Sequence, residues 1–258
     1  MEGKAFSEDA LAGQLILITG ASRGIGAAVA RAAAAAGADV AVAYHQQQEG
    51  AEATAAAVRA LGRRAEIFEA DLADPVAARA MVAGVIERMG PVDGLVNNAG
   101  IMPQSPFLEI SDAEWSRVIA TDLTAAFACS QAVLPGMLER GKGSIVMISS
   151  RLGQIGFAGV AHYAAAKAGV MALAKSISRE YGQQGIRANC VAPGVIITDM
   201  TSKDVITGEV GRKRMAELPL GRFGQPEEIA DPVVFLLSDA SALFLGQTLG
   251  ANSGGLML

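Results

Sequence analysis

Cysteine and histidine are scarce in this chain of 258 residues, with two of each, and an excess of positive charge is absent. Cys129 and Cys190 cannot build a disulfide framework, and nothing flanks them at metal-ligand spacing. The expectation is two buried thiols in a reducing compartment and no bound metal. Against 26 Asp and Glu stand only 21 Lys and Arg, a formal charge of −5, and 18% of residues are charged. No basic surplus exists to neutralise phosphates along a duplex, which argues against nucleic acid as a partner. No apolar run approaches the ~20 residues that cross a bilayer. The Ala32–Ala36 stretch stops at Gly37, and Met1 to Asp9 mixes Glu2, Lys4, Glu8 and Asp9 with no apolar centre, unlike a signal peptide. A cytoplasmic protein without a membrane partner is expected.

Hydrophobic residues are plentiful, at 51%, ample for a large core. Short β-type runs alternate with helical patterns along the chain: 14–19, 39–43, 65–70, 93–97, 144–149, 187–192 and 247–251. Several are apolar throughout, as strands covered on both faces must be. Asp74-Pro75 and Gly90 bracket one helix, and Ser111 with Glu114 forms a capping box heading a long helix toward Pro135. Repeated strand–helix–strand units imply right-handed crossovers and a doubly wound, Rossmann-like α/β parallel sheet of about seven strands. No linker or repeat divides residues 1–258, which read as one domain. Residues 198–218 form a long connection without clear periodicity and are expected to be a substrate flap.

After the first strand, Gly20, Gly24 and Gly26 punctuate Thr19-Gly20-Ala21-Ser22-Arg23-Gly24-Ile25-Gly26, which opens an Ala-rich helix. Glycines let backbone approach a ligand, and a helix N-terminus offers free N–H groups with a positive dipole end. A pyrophosphate is the natural occupant at the switch point of such a sheet. Further on, Tyr163 and Lys167 lie at i and i+4 and share one helical face. Two unit charges ~4 Å apart at an effective dielectric of ~20 interact by about 4 kcal/mol. That corresponds to roughly three pKa units, enough to carry a phenol from ~10 toward neutrality. Ser150, just past the fifth strand, is placed to hydrogen-bond a carbonyl oxygen.

Together these residues resemble the short-chain dehydrogenase/reductase family in its compact single-domain form. The resemblance extends through Asn97–Gly100 (NNAG), Pro193-Gly194, Leu220–Asp239 and the closing GQTLGANSGG, particularly to 3-oxoacyl-carrier-protein reductase-like members. It implies hydride transfer between a nicotinamide cofactor and a small-molecule carbonyl or secondary alcohol. Tyr163 would exchange the proton, Lys167 would lower its pKa and hold ribose hydroxyls, and Ser150 would polarise the substrate oxygen. Ser22, Arg23 and Ile25 would line the phosphate loop with its glycines, Asp71 and Leu72 the adenine, and Asn98 the adenosine ribose. Ala99, Gly100, Pro193 and Gly194 would complete the cofactor wall, with Ile196 and Thr198 at the carboxamide. One departure concerns Asp122, in Asp122-Leu123-Thr124, where the family usually has Asn whose backbone carbonyl holds a water near the lysine. As a carboxylate near Lys167, Asp122 would partly cancel the pull on Tyr163. Relatives are commonly tetramers built through the Tyr163 helix, and Ala164, Ala165, Ala168 and Ala172 would suit that contact.

The second strand ends Val42-Ala43-Tyr44-His45-Gln46, without the acid that NAD-preferring enzymes use on the ribose hydroxyls. With Arg23 available to a 2′-phosphate, NADP is favoured over the alternative, NAD. An NAD-dependent alcohol or sugar dehydrogenase and a catalytically silent scaffold are the competing readings. Arg151 is expected to point away from an inward Ser150, since extended neighbours face opposite ways. His162 is read as a surface or subunit contact, Trp115 and Met102 as packing residues, and Arg212-Lys213-Arg214 as a solvated cluster. Met102, Gln104, Gln154 and Phe157 follow motifs that border the pocket. Arg140, Lys142 and Arg179 are candidates for carrier recognition.

Overall fold

The computed structural model describes residue 7 and residues 9–201 and 208–257. Residues 202–207 of the expected flap therefore lie outside the described residues. Seven strands form one parallel sheet in the order β3-β2-β1-β4-β5-β6-β7. They are β1 Leu15–Ile18, β2 Asp39–Tyr44, β3 Ala65–Glu69, β4 Gly94–Asn97, β5 Gly143–Ile148, β6 Ile186–Val191 and β7 Thr248–Leu249. The order reverses between β1 and β4, which opens a crevice at the carboxyl ends of those strands.

The helices are α1 Gly24–Ala35, α2 Gln48–Ala60, α3 Pro75–Met89, α4 Asp112–Ile119, α5 Ala125–Arg140, α6 Leu152–Ile155, α7 Ala161–Tyr181, α8 Glu209–Ala216 and α9 Pro226–Leu237. Alternation along each strand feeds two cores. Ile16 and Ile18 pack with α1, α2 and α9, whereas Leu15 and Leu17 pack with α3, α5 and α7. Every residue of β1, β4 and β5 is buried, as the unbroken apolar runs require. Cys129 and Cys190 sit in the second core, where burial pushes both thiols up to about 12.

The local signals are realised with two differences. Asp74 accepts the Val76 N–H at the head of α3, and Gly90 closes it at φ 104°. Ser111 Oγ accepts the Glu114 N–H at 3.1 Å, but the Glu114 carboxylate reaches His162 Nε2 at 3.0 Å. The long helix also continues past Pro135 to Arg140, after a wide π-turn at Ala120–Thr124. In the 198–218 connection, where no periodicity was expected, Glu209–Ala216 is helical.

Candidate active site

A cavity of about 970 Å³ runs along the switch-point crevice, from the glycine loop to Tyr163. At one end stands the N-terminus of α1. No side chain caps it, and its first turn supplies N–H groups without intrahelical partners. Gly24 and Ile25 line the cavity beside Gly20, Ser22 and Arg23. Gly26 does not line it. A Cβ there would stand 2.5 Å from the Gly20 carbonyl oxygen and 2.6 Å from Asn98 Nδ2, so this glycine lets the helix seat under the loop. Gly20 has φ +63°, and its missing Cβ would meet the Ala99 Cα at 2.9 Å. Asn98 belongs to this scaffold: its Nδ2 donates to the Thr19 and Gly20 carbonyls at 2.9 and 3.0 Å. Thr19 Oγ1 in turn accepts the Asn98 and Ala99 N–H groups.

The remaining sequence-derived positions, Asp71, Leu72, Ala99, Gly100, Pro193, Gly194, Ile196 and Thr198, all border the cavity. So do Tyr44, His45, Gln46 and Gln47, following β2, with no acid among them. An uncapped helix end, a glycine cradle and a turn after β2 that carries no acid fit a phosphorylated dinucleotide.

At the other end Ser150, Tyr163, Lys167 and Asp122 meet. Tyr163 and Lys167 rise from successive turns of α7, and the Lys167 Nζ lies 5.4 Å from the Tyr163 ring centroid. Lys167 Nζ also donates to the Ile148 carbonyl at 3.1 Å and stands 3.2 Å from Asp122 Oδ1. Asp122 Oδ2 accepts the Ile101 N–H at 2.9 Å, and the residue is 2% exposed. The π-turn carries Asp122 inward, and Gly100 makes room for it: a Cβ there would stand 2.5 Å from Oδ1.

These charges shape Tyr163. Burial, the largest influence, pushes its hydroxyl above the usual phenol value; the Lys167 cation pulls it down, Asp122 pushes it up, and a hydrogen bond from Ser150 pulls it down. The expected fall toward neutrality is thus not the net direction. Burial opposes it, and the Asp122 carboxylate takes part of the lysine's field. Lys167 itself is raised against the downward push of burial, chiefly by Asp122 and then Tyr163.

Several expectations for neighbouring residues are corrected. Arg151 lines the cavity because it is not extended; at φ −55° and ψ −28° it leads into α6, so strand alternation does not govern it. Arg214 also lines the cavity, its guanidinium carbon 5.2 Å from the Phe157 ring centroid. His162 is fully buried, its Nδ1 accepting the Tyr163 N–H at 2.9 Å. Trp115 is 41% exposed, and Gln154 does not line the cavity, although Met102, Gln104 and Phe157 do. Arg140 binds the Val92 carbonyl and Asp93, Lys142 pairs with Asp239, and neither these two nor Arg179 borders the cavity.

A family profile described as enoyl-(acyl carrier protein) reductase matches residues 20–255. The 3-oxoacyl-acyl-carrier-protein reductase FabG of Staphylococcus aureus is 42% identical over 238 residues, 92% of this chain and 96% of that protein. A solved structure from Agrobacterium tumefaciens, assigned as a gluconate dehydrogenase, superposes with a TM-score of 0.92 at 35% identity, covering 96% of this chain and 98% of the other. Another, from Beutenbergia cavernae, is assigned as an NAD(P)-dependent gluconate 5-dehydrogenase and holds NADP at low occupancy. It matches with a TM-score of 0.91 at 36% identity over 96% of this chain and 99% of the other. Fold, cavity and relatives agree: the chain belongs to the short-chain dehydrogenase/reductase family and is 3-oxoacyl-reductase-like within it.

Proposed function

We propose that this protein is an NADPH-dependent reductase of a ketone or 3-oxoacyl carbonyl, with Tyr163 as the proton donor. The observation that carries the reading is the convergence of Ser150, Tyr163 and Lys167 in the cavity that the glycine loop opens. NADP would lie with its pyrophosphate on the α1 N-terminus, its adenine beside Asp71 and Leu72, and its nicotinamide near Ile196 and Thr198. When bound, it supplies the hydride. Ser150 hydrogen-bonds the substrate oxygen, Tyr163 passes its proton to that oxygen, and Lys167 stabilises the phenolate left behind. Asp122 holds the lysine and sets how much of its charge Tyr163 feels.

Arg23 supports the phosphorylated cofactor. Its only carboxylate partner among the described residues is Asp199 at 3.3 Å, in a pair whose side chains are 59% and 71% exposed. Such a pair contributes little, so the guanidinium remains available to a 2′-phosphate. A cytoplasmic homotetramer is part of the same proposal. Ala165, Ala168 and Ala172 leave an exposed strip of small side chains along α7, suited to close helix approach.

The second reading runs the reaction toward oxidation of a sugar-type alcohol, favoured by the gluconate dehydrogenase assignments of the two solved structures. The test is NADPH and NADH oxidation over a panel of ketones, with Tyr163→Phe as control. The variant is expected to lose about 10²- to 10⁴-fold in kcat, the range for a proton-transfer group. A preference for NADH of about tenfold, 1.4 kcal/mol, overturns the cofactor assignment. NADPH binding without turnover in either direction identifies a silent scaffold.

A further inference from the structure

Beyond Ser150 the cavity is more cationic than a neutral ketone requires. Arg151 enters directly after the serine, and its Nη1 donates to the Gly255 carbonyl at 3.3 Å. Gly255 is built around it: a Cβ at that position would stand 2.5 Å from Nη1. To the same cavity α8 delivers Arg214, stacked on Phe157. Among the described residues neither arginine has a carboxylate at ion-pairing distance, whereas Arg23 at the cofactor end is paired with Asp199. Burial, and after it the Arg214 cation, push Arg151 below the usual arginine value; Glu217 opposes them. Two like charges gathered in one partly desolvated cavity are compensated by an anion between them. The guanidinium fork matches a carboxylate in geometry as well as in charge.

We infer that the substrate is a small oxo acid whose carboxylate is held by Arg151 and Arg214 while Ser150 and Tyr163 hold its ketone. The inference rests on the reductase reading of the same site and narrows it to free acids over carrier thioesters. The carbonyl carbon gains a hydride from NADPH and its oxygen gains the Tyr163 proton, giving a hydroxy acid and NADP⁺. The carboxylate is unchanged throughout. A thioester or an ester would leave the two cations unmatched.

The experiment compares acetoacetate and levulinate with their methyl esters, and with the N-acetylcysteamine thioester of acetoacetate, in kcat/KM with NADPH. Both acids are expected to exceed the esters and the thioester. Arg151→Met and Arg214→Met should each lower the acid-to-ester ratio about 10- to 100-fold, the weight of a charge-assisted hydrogen bond, mainly through KM, and Arg151→Lys should restore part of it. A ratio is insensitive to the fraction of folded protein. Calorimetry on the NADP⁺-loaded protein gives a second readout, with butanoate expected to bind more tightly than butanamide and to lose that advantage in both variants. Equal use of acids and esters, a preferred thioester, unmoved ratios, or butanoate binding no better than butanamide each overturn the inference. Absence of NADPH binding, or of turnover on every neutral ketone, overturns the reductase reading instead.

Discussion

The carboxylate of Asp122 and the phenol of Tyr163 compete for one ammonium. Because Asp122 raises Tyr163, removing its charge lowers the hydroxyl's pKa. In the proposed reduction Tyr163 must be protonated, so the alkaline fall of kcat/KM in Asp122→Asn should come at lower pH than in the wild type. A superimposable pH–rate profile would show that the carboxylate does not reach the proton donor. The reverse truncation is more severe in stability. Lys167→Met strands a buried carboxylate and is expected to cost about 3–5 kcal/mol, measured by urea denaturation. The Tyr163–Lys167 pair was legible from spacing, because i and i+4 on a helix share a face whatever surrounds them, and Ser150 from its place after the fifth strand together with the family resemblance. Arg151 and His162 were not. Arg151 turns inward because the chain leaves the extended conformation at that residue, and His162 is enclosed because α4 brings Glu114 across it. Both causes lie in elements remote from, or beginning at, the residue itself.

Element boundaries follow the same division. Pro, Asp and Gly punctuation located α3 within a residue, since caps act locally. The π-turn at Ala120–Thr124 has no such marker; it lets Asp122 reach Lys167 and Ile101. The seventh strand was read as 247–251 and pairs regularly over Thr248–Leu249. Even so, β6 and the segment after it bond to the Gln247, Leu249 and Ala251 carbonyls, as an edge with one neighbour permits. At the head of α9 the Gln225 N–H donates to Glu228, which also binds Arg222 twice, at 2.7 and 2.5 Å. Arg222, then the Gln225 N–H, hold the Glu228 carboxyl at about 2, against 4.5 in an unstructured chain. A depressed carboxyl contributes stability that is complete above the unfolded value and disappears as pH falls through the folded one. Glu228→Ala should therefore cost about 1 kcal/mol at neutral pH, the weight of a helix cap. The gap from wild type should narrow as pH is lowered from 4.5 toward 2. A gap independent of pH would mean that the ion pair and cap add nothing beyond packing.

For the whole molecule, the exposed alanine strip of α7 and the half-exposed Phe127 and Trp115 are the surfaces a tetramer would cover. Light scattering at micromolar concentration should report four chain masses, and Ala168→Arg should lower that number by placing a charge where helices meet. A wild-type monomer would contradict the proposed assembly. Composition, strand periodicity and the spacing of Gly20, Tyr163 and Lys167 were enough to point to the sheet class, the nucleotide loop and the proposed proton donor with its partner, because each leaves a pattern within a few residues along the chain. Which charges surround that donor was decided only in three dimensions. Lys167 meets Asp122 across two helices, and Arg151, after β5, lines the same cavity as Arg214 of α8. Charges that share a desolvated cavity act on one another by distance in space, and separation along the sequence carries no information about that distance.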